Sequence, residues 1–265
     1  MSQKHKFDTF YFIDDDCIHP LSDISSIDND VYIKKYKEKI YCPECKKVQL
    51  SLTHKANSVY LRSYPNQEHE NDSNFQCSYF FEPANTKEVK EYVTNLKDID
   101  VQSKLKSTMR WLSSKGLITK KSQPSDSKNI DIDDTLIVLP NKVRKMNRKI
   151  IPRYSFCSVR DNVPLEQIVL LYGLVYISKH QRKRIKDSKE KNYPLQTTFF
   201  SYNISRQKDT KVLCSFTSND PLIENDGFYN VVAIGTVVRK PNSQHEKSFF
   251  YNLKVNKNHI LMESA

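Results

Sequence analysis

Residues 41–77 read YCPECKKVQLSLTHKANSVYLRSYPNQEHENDSNFQC and hold three cysteines and two histidines. Cys42 and Cys45 form a C-x-x-C pair, a spacing at which two thiolates can bind one metal ion through a tight turn. The backbone N–H groups of such a turn also stabilise the charge on sulfur. Zinc takes four tetrahedral ligands from cysteine or neutral histidine, so a second pair of ligands must come from elsewhere in the chain.

His69 and Cys77 are the best placed second pair, because both follow Cys45 after a predicted hairpin and a polar loop. Other residues remain open as replacements: His54 for the third ligand, and Cys17 or His19 for the fourth. Four protein ligands would make a closed, structural zinc site. An incidental cysteine pair is the competing interpretation. A thioredoxin-like redox role is disfavoured, since the flanking pattern predicts a strand, a turn and a hairpin, not a βαβ unit.

The segment 41–77 resembles the N-terminal zinc-ribbon-like module of competence CoiA-type proteins: an aromatic residue, C-P-x-C, a short hairpin, a histidine-containing segment and a closing cysteine. The resemblance covers about one seventh of the chain. It implies a metal site at Cys42, Cys45, His69 and Cys77. The acidic residues of that family's nuclease region have no recognisable counterparts here, so the resemblance implies no catalytic residue.

The N-terminal part of the chain predicts short strands followed by a pair of helices. Residues 31–42 read as a strand leading into the cysteine pair, VQLSLTH and NSVYLRSY as a hairpin, and 14–30 as a loop. Asn85 and Glu88 have the spacing of a capping box, and apolar residues then recur at helical intervals through residue 96. A second apolar stripe from Val101 to Leu112 predicts the second helix.

The C-terminal part predicts a mainly antiparallel β domain. Five of its candidate strands lie at 167–177, 195–204, 211–217, 228–238 and 248–255, with TLIVL (135–139) as a sixth. Their number and length favour an OB-like barrel or a small sandwich. The fold class is therefore α+β, with a zinc-stapled module and two helices in 1–120, a linker in 121–134 and a β domain in 135–265.

The basic charge is concentrated in the C-terminal half. The chain has a net charge of +11, while residues 141–265 alone hold 22 Lys/Arg against 10 Asp/Glu. This asymmetry predicts a polyanionic partner. Two clusters flank the strand at 167–177, and their candidate phosphate-binding residues are Arg144, Lys145, Arg148, Lys149, Lys179, Arg182, Lys183, Arg184 and Lys186.

Two Phe-Phe pairs could add base stacking to these phosphate contacts. In a strand, one ring of Phe199–Phe200 and of Phe249–Phe250 is expected in the core and the other outside, with burial of both rings as the alternative. A solvated, solubilising surface is the alternative interpretation of the lysines and arginines.

These features favour a non-enzymatic, zinc-containing protein that binds DNA or RNA, single strands above all. We expect it to assist a nuclease, helicase or recombinase in bacterial DNA metabolism, mobile-element biology or phage defence. A diverged metal-dependent nuclease using Asp14–Asp16 or Glu88, and a scaffold for an acidic protein, are the alternatives. The lack of a signal-like or membrane-spanning apolar stretch, together with six cysteines, predicts a cytoplasmic protein that acts away from membranes.

Overall fold

The computed structural model describes residues 7–55, 58–71, 76–118, 131–139, 148–181, 195–200, 212–218, 222–242 and 245–265. In the N-terminal part, a small sheet has the strand order β2-β1-β3, with β1 at Thr9–Phe12, β2 at Cys17–Pro20 and β3 at Ile40–Tyr41. The predicted hairpin is confirmed as β4 (Leu50–Lys55) and β5 (Ser58–Ser63). Strand β2 lies within the segment that was expected to be a loop.

The prediction of a strand over residues 31–42 is wrong for most of its length. Residues Asn29–Lys35 form the helix α1, and only Ile40 and Tyr41 are in a strand. The side chain of Asp28 caps α1 by accepting a hydrogen bond from the backbone N–H of Asp30. The hydroxyl oxygen of Tyr32 accepts a hydrogen bond from the backbone N–H of Leu52 in β4. This cap and this contact with the hairpin outweigh the strand preference of the β-branched residues.

Both predicted helices are confirmed, as α2 (Thr86–Asn95) and α3 (Asp98–Ser114). The capping box is present: the Asn85 side chain accepts from the N–H of Glu88, and the Glu88 carboxylate accepts from the N–H of Asn85. A short sheet lies beside them, in which β6 (Glu82–Pro83) pairs with β8 (Lys149–Ile150). Strand β7 pairs with the other edge of β8, but it spans only Val138–Leu139 of the predicted strand at 135–139.

The C-terminal part contains a closed barrel of five strands, and the predicted α+β class with a barrel is confirmed. The five strands are β10 (Ile168–Gln181), β11 (Leu195–Phe200), β12 (Val212–Ser218), β13 (Gly227–Asn242) and β14 (His245–Lys254). They follow the ring order β10-β11-β12-β14-β13, and β13 returns to β10. The pairing of β12 with β14 is parallel and the other four are antiparallel.

Strand β10 closes the ring because its two halves pair with different neighbours. Residues 168–177 pair with β13, and residues 176–181 pair with β11. Gly173, near the middle of the strand, has a φ of 146°, a backbone conformation that favours glycine. Two further strands extend the sheet: β9 (Arg153–Ser155) runs parallel to β10, and β15 (Ile260–Ser264) runs antiparallel to β13.

Three hydrophobic clusters organise the described residues. One fills the barrel, with Val175, Phe199 and Val231 among its members. A second packs α2 and α3 against the outer face of β10 and β13, through residues such as Leu105, Tyr172 and Val232. The third surrounds the cysteines of the N-terminal part. The second cluster joins residues of the predicted segments 1–120 and 135–265, so the two helices lie on the barrel. The domain limits stay a prediction.

Candidate metal centre

The four predicted ligands converge at one point. The donor atoms of Cys42, Cys45, His69 and Cys77 all lie within 4.8 Å of one another. The Sγ atoms of Cys42 and Cys77 are 3.8 Å apart, and the Nδ1 atom of His69 is 3.5 Å from the Sγ of Cys45 and 3.4 Å from that of Cys77. A tetrahedral zinc ion would place its ligand atoms about 3.8 Å apart for two sulfurs and about 3.5 Å apart for sulfur and nitrogen. The distances fit a metal ion held by these four residues.

The tight turn at Cys42–Cys45 is built by backbone hydrogen bonds. The N–H of Cys42 donates to the carbonyl of Val48, and the N–H of Lys46 donates to the carbonyl of Cys42. Lys46 adopts a φ of 54°, which turns the chain back toward the hairpin. Residue Cys77 is brought to the turn from the far end of the segment, where its N–H donates to the carbonyl of Glu70.

The thiols differ in their tendency to ionise. Burial raises the pKa of Cys42 and of Cys77, whereas hydrogen bonds from the neighbouring thiols of Cys42 and Cys77 hold the pKa of Cys45 far below its usual value. Three adjacent thiolates repel one another, so they require a cation to ionise together. A divalent metal would provide that charge and would displace the protons on binding.

The competing ligands lie elsewhere. His54 is exposed near the end of β4, and Cys17 is exposed at the start of β2. His19 lies between two carboxylates, with its Nε2 2.9 Å from Asp15 and its Nδ1 3.3 Å from Asp23. None of the three belongs to the cluster of four donor atoms. Of the candidates that the sequence left open, the structure brings His69 and Cys77 beside the Cys42–Cys45 pair.

The placement of His19 predicts a small pH dependence of stability. The hydrogen bond with Asp23 raises the pKa of His19, with a further contribution from Asp15 and partial opposition from burial. Because the pKa of His19 is higher in the folded state, its protonation stabilises the fold. This stabilisation is complete at pH values below the pKa of the unfolded state, about 6.5, and it is lost as the pH rises through the pKa of the folded state. Because the groups are partly exposed, we expect a decrease of at most about 1 kcal/mol in the free energy of unfolding.

Urea unfolding at pH 5.5 and pH 8.5 measures this effect. We expect His19→Gln to be less stable than the wild type at pH 5.5 and to match it at pH 8.5. His54→Gln, at an exposed histidine with no such contacts described, should behave as the wild type at both pH values. A stability difference for His19→Gln that is the same at both pH values would contradict the assignment.

The cluster of Cys42, Cys45, His69 and Cys77 is linked to β9, which extends the barrel sheet, through a buried ion pair. Glu44, inside the C-x-x-C turn, accepts hydrogen bonds from the N–H and the hydroxyl of Ser78, at 2.7 and 2.8 Å. Its carboxylate also pairs with the guanidinium of Arg153 at the start of β9, and the two side chains are only 0% and 2% exposed. The Arg153 guanidinium lies 4.4 Å from the ring centre of Tyr79. These contacts of Glu44 and Arg153 therefore join both segments that carry the candidate ligands to β9.

A second buried carboxylate supports the same junction. Asp8, which precedes β1, accepts a hydrogen bond from the backbone N–H of Ser155 in β9. Burial raises the pKa of Asp8, while the hydrogen bonds of Ser155 and Ser158 and the nearby charge of Arg153 oppose that rise. Sequence reasoning missed these residues. Arg153 closely follows the basic residues Arg148 and Lys149 and is not distinguished from them by its type, while the acidic residue within the C-x-x-C pair is a signal that could have drawn attention to Glu44.

Most of the predicted nucleic-acid-binding residues lie outside the described residues, namely Arg144, Lys145, Arg182, Lys183, Arg184 and Lys186. The other three make contacts within the chain. Arg148 pairs with Asp133 and Lys149 with Glu88, each at 2.5 Å, and the ammonium of Lys179 donates to the carbonyl of Glu224. These contacts use part of the charge that was expected to face a ligand.

The acidic residues considered for a nuclease each contact another group within the chain. Asp14 pairs with Lys39 at 2.7 Å, Asp16 pairs with Lys46 at 3.1 Å, and Asp15 contacts His19. Glu88 caps α2 and pairs with Lys149. Each of these four carboxylates therefore has a hydrogen-bond or ion-pair partner within the chain.

Within the described ranges, no helix combines the length and the apolar character that crossing a membrane requires. Comparison with known proteins found no match to this chain among protein-family models, curated proteins or solved structures.

Proposed function

We propose that this chain is a non-enzymatic nucleic-acid-binding protein whose barrel holds the ligand and whose metal centre binds zinc as a structural ion. The connectivity of the barrel is the observation that carries the proposal. In chain order, the long first strand of the barrel, β10, pairs with the second and the fourth strands, β11 and β13, and the third strand, β12, pairs in parallel with the fifth, β14. OB modules have this connectivity. Those modules bind oligonucleotides on the face of strands two and three and with the loops between strands one and two and strands four and five.

The charge of this chain fits such a use. Counted in chain order, the second and third barrel strands are β11 and β12, and residues 182–194 connect the first strand to the second. That connection carries six Lys/Arg against two Asp/Glu in sequence. It contains the candidates Arg182, Lys183, Arg184 and Lys186. Lysines and arginines that neutralise phosphates release counterions, which gives binding a marked salt dependence.

The donor set supports zinc as the metal. Three thiolates and one imidazole at tetrahedral spacing are the ligands of structural zinc sites, whereas magnesium and calcium prefer oxygen ligands. Four protein ligands leave no coordination position for water or substrate. The zinc would therefore hold the N-terminal module together and take no part in a reaction.

Salt-titrated binding to labelled single-stranded DNA, RNA and duplex DNA tests the proposal. We expect the affinity to fall steeply as salt rises. Changing Arg182, Lys183, Arg184 and Lys186 to glutamine should reduce the slope of log K against log salt by about 3 for a single strand. The control changes Lys34, Lys35, Lys37 and Lys55 to glutamine, which removes the same charge from the N-terminal module. If both variants reduced the salt slope equally, or if the affinity of the wild type did not depend on salt, nucleic-acid binding by the barrel would be refuted.

A further inference from the structure

The β13–β14 hairpin carries two phenylalanines that are both half exposed. Phe249 is 42% exposed and Phe250 is 52% exposed. The expectation that one ring of this pair would enter the core is therefore wrong. It is confirmed for Phe199 and Phe200, of which the first is fully buried and the second partly exposed. The difference arises because β13 pairs with β10 only as far as Thr236 and then continues. The part of β13 that pairs with Phe249 and Phe250 lies beyond the closed part of the barrel.

Each exposed ring has a cation on its own face of the hairpin. Phe250 lies directly opposite Lys240, and Phe249 lies opposite Pro241. Because successive side chains alternate between faces, Arg239 shares the face of Phe249 and Lys240 shares that of Phe250. The Arg239 guanidinium lies 4.4 Å from the ring centre of Phe249, and Arg239 and Lys240 are exposed. We refer to Arg239, Lys240, Phe249 and Phe250 as the hairpin platform.

An exposed aromatic surface beside positive charge fits a ligand that is both aromatic and anionic. Leaving two large rings in water forgoes the free energy that their burial would supply. The surrounding segment 239–254 holds four Lys/Arg against one Asp/Glu in sequence, which disfavours a basic or neutral partner. Single-stranded nucleic acid offers base faces for stacking and phosphates for pairing at nucleotide spacing. A duplex keeps its base faces stacked inside and offers mainly phosphates.

We propose that the hairpin platform binds single-stranded nucleic acid, with bases stacked on Phe249 and Phe250 and phosphates bound by Arg239 and Lys240. This inference rests on the proposed nucleic-acid function and names its ligand class. It assigns base stacking to the hairpin formed by β13 and β14, the fourth and fifth barrel strands in chain order. The phosphate contacts of residues 182–194 belong to a separate part of the chain, so variants can test the two independently.

The experiment compares the affinity of the double variant Phe249→Ala/Phe250→Ala with that of the wild type. Three probes of 30 nucleotides or base pairs are used: oligo-dT, an abasic oligonucleotide with the same phosphates, and duplex DNA. Each stacked base contributes enough that its loss weakens binding about 5- to 150-fold. We therefore expect at least a 10-fold weaker affinity for oligo-dT and less than a twofold change for the abasic strand. Phe80→Ala is the matched control, since Phe80 is 47% exposed in the N-terminal part of the chain and should leave all three affinities unchanged.

A charge variant separates the two contributions. Arg239→Gln/Lys240→Gln should reduce the salt slope on oligo-dT by about 1.4, as two phosphate contacts are lost. If the phenylalanine variant lost the same affinity for oligo-dT as for the abasic strand, or lost affinity for neither, the platform would be overturned. Nucleic-acid binding by the protein would remain in place. A wild type that binds none of the probes, or binds heparin as tightly as oligo-dT, would overturn the platform and the proposed function together. Thermal unfolding checks that each variant is folded.

Discussion

Replacing Cys77 with serine is expected to release the metal and unfold the N-terminal part of the chain. Cys77 provides one of four converging donors, and its Sγ lies 3.8 Å from that of Cys42 and 3.4 Å from the imidazole nitrogen of His69. The hydrophobic cluster around it is small and includes Cys42, Cys45 and Cys77, three of the four candidate ligands. Structural zinc contributes about 10–16 kcal/mol of apparent binding free energy, and binding is coupled to folding. A module with so small a core cannot replace that contribution.

Metal analysis and circular dichroism provide the measurement. We expect about one zinc per wild-type chain, and a loss of zinc together with tertiary signal in Cys77→Ser and His69→Ala. The matched controls are Cys17→Ser and His54→Ala, which change exposed residues of the same types outside the cluster. Both should keep their zinc. Retention of zinc by Cys77→Ser, or its loss from Cys17→Ser, would show that the ligand set is wrong.

Replacing Arg153 with methionine is expected to cost about 3–5 kcal/mol of unfolding free energy, the usual result of leaving one member of a buried ion pair unpaired. The Glu44 carboxylate is wholly buried and would lose its cation. It would keep the two hydrogen bonds from Ser78, which do not neutralise its charge. Because Ser78 follows the ligand Cys77, we also expect faster loss of zinc to a chelator in this variant.

A double-mutant cycle in urea unfolding isolates the ion pair. Arg153→Met and Glu44→Gln should each destabilise the protein strongly, and the double variant should lose clearly less than their sum, because neither charge is then left alone. Lys39→Met is the control, since Lys39 and Asp14 form an exposed pair that is worth at most about 1 kcal/mol. If Arg153→Met cost no more than Lys39→Met, the buried pair would not hold the metal centre to the barrel.

The two predictions have different origins in the sequence. The four converging residues, Cys42, Cys45, His69 and Cys77, were recognisable as candidate metal ligands from residue type and spacing, because zinc coordination would restrict both. The partner of Glu44 was not recognisable, because Arg153 lies more than one hundred residues away, beside a run of lysines and arginines that indicates a solvated surface. Only the packing of β9 along β10 places the Arg153 guanidinium over Tyr79 and against Glu44.

Local patterns also explain which elements were predicted well. The capping box at Asn85 and the apolar spacing of α2 and α3 depend on residues within four positions of each other, so the sequence states them directly. Strands β10 to β14 follow from runs of β-branched and aromatic residues. The failure at α1 shows the limit of that approach, since Val31 and Ile33 remain exposed on a short helix that is held by a cap and one tyrosine contact.

By itself, the sequence identified the four cysteine and histidine residues that converge, the paired helices, the main strands and the excess of basic charge. Each of these depends on residue type and short-range periodicity. The tertiary structure alone decided the closure of β13 onto β10, the parallel pairing of β12 with β14, the burial of Arg153 and the exposure of both Phe249 and Phe250. The physical reason is that strand pairing and burial depend on neighbours distant in the chain, and the same residue pattern is compatible with several such neighbours.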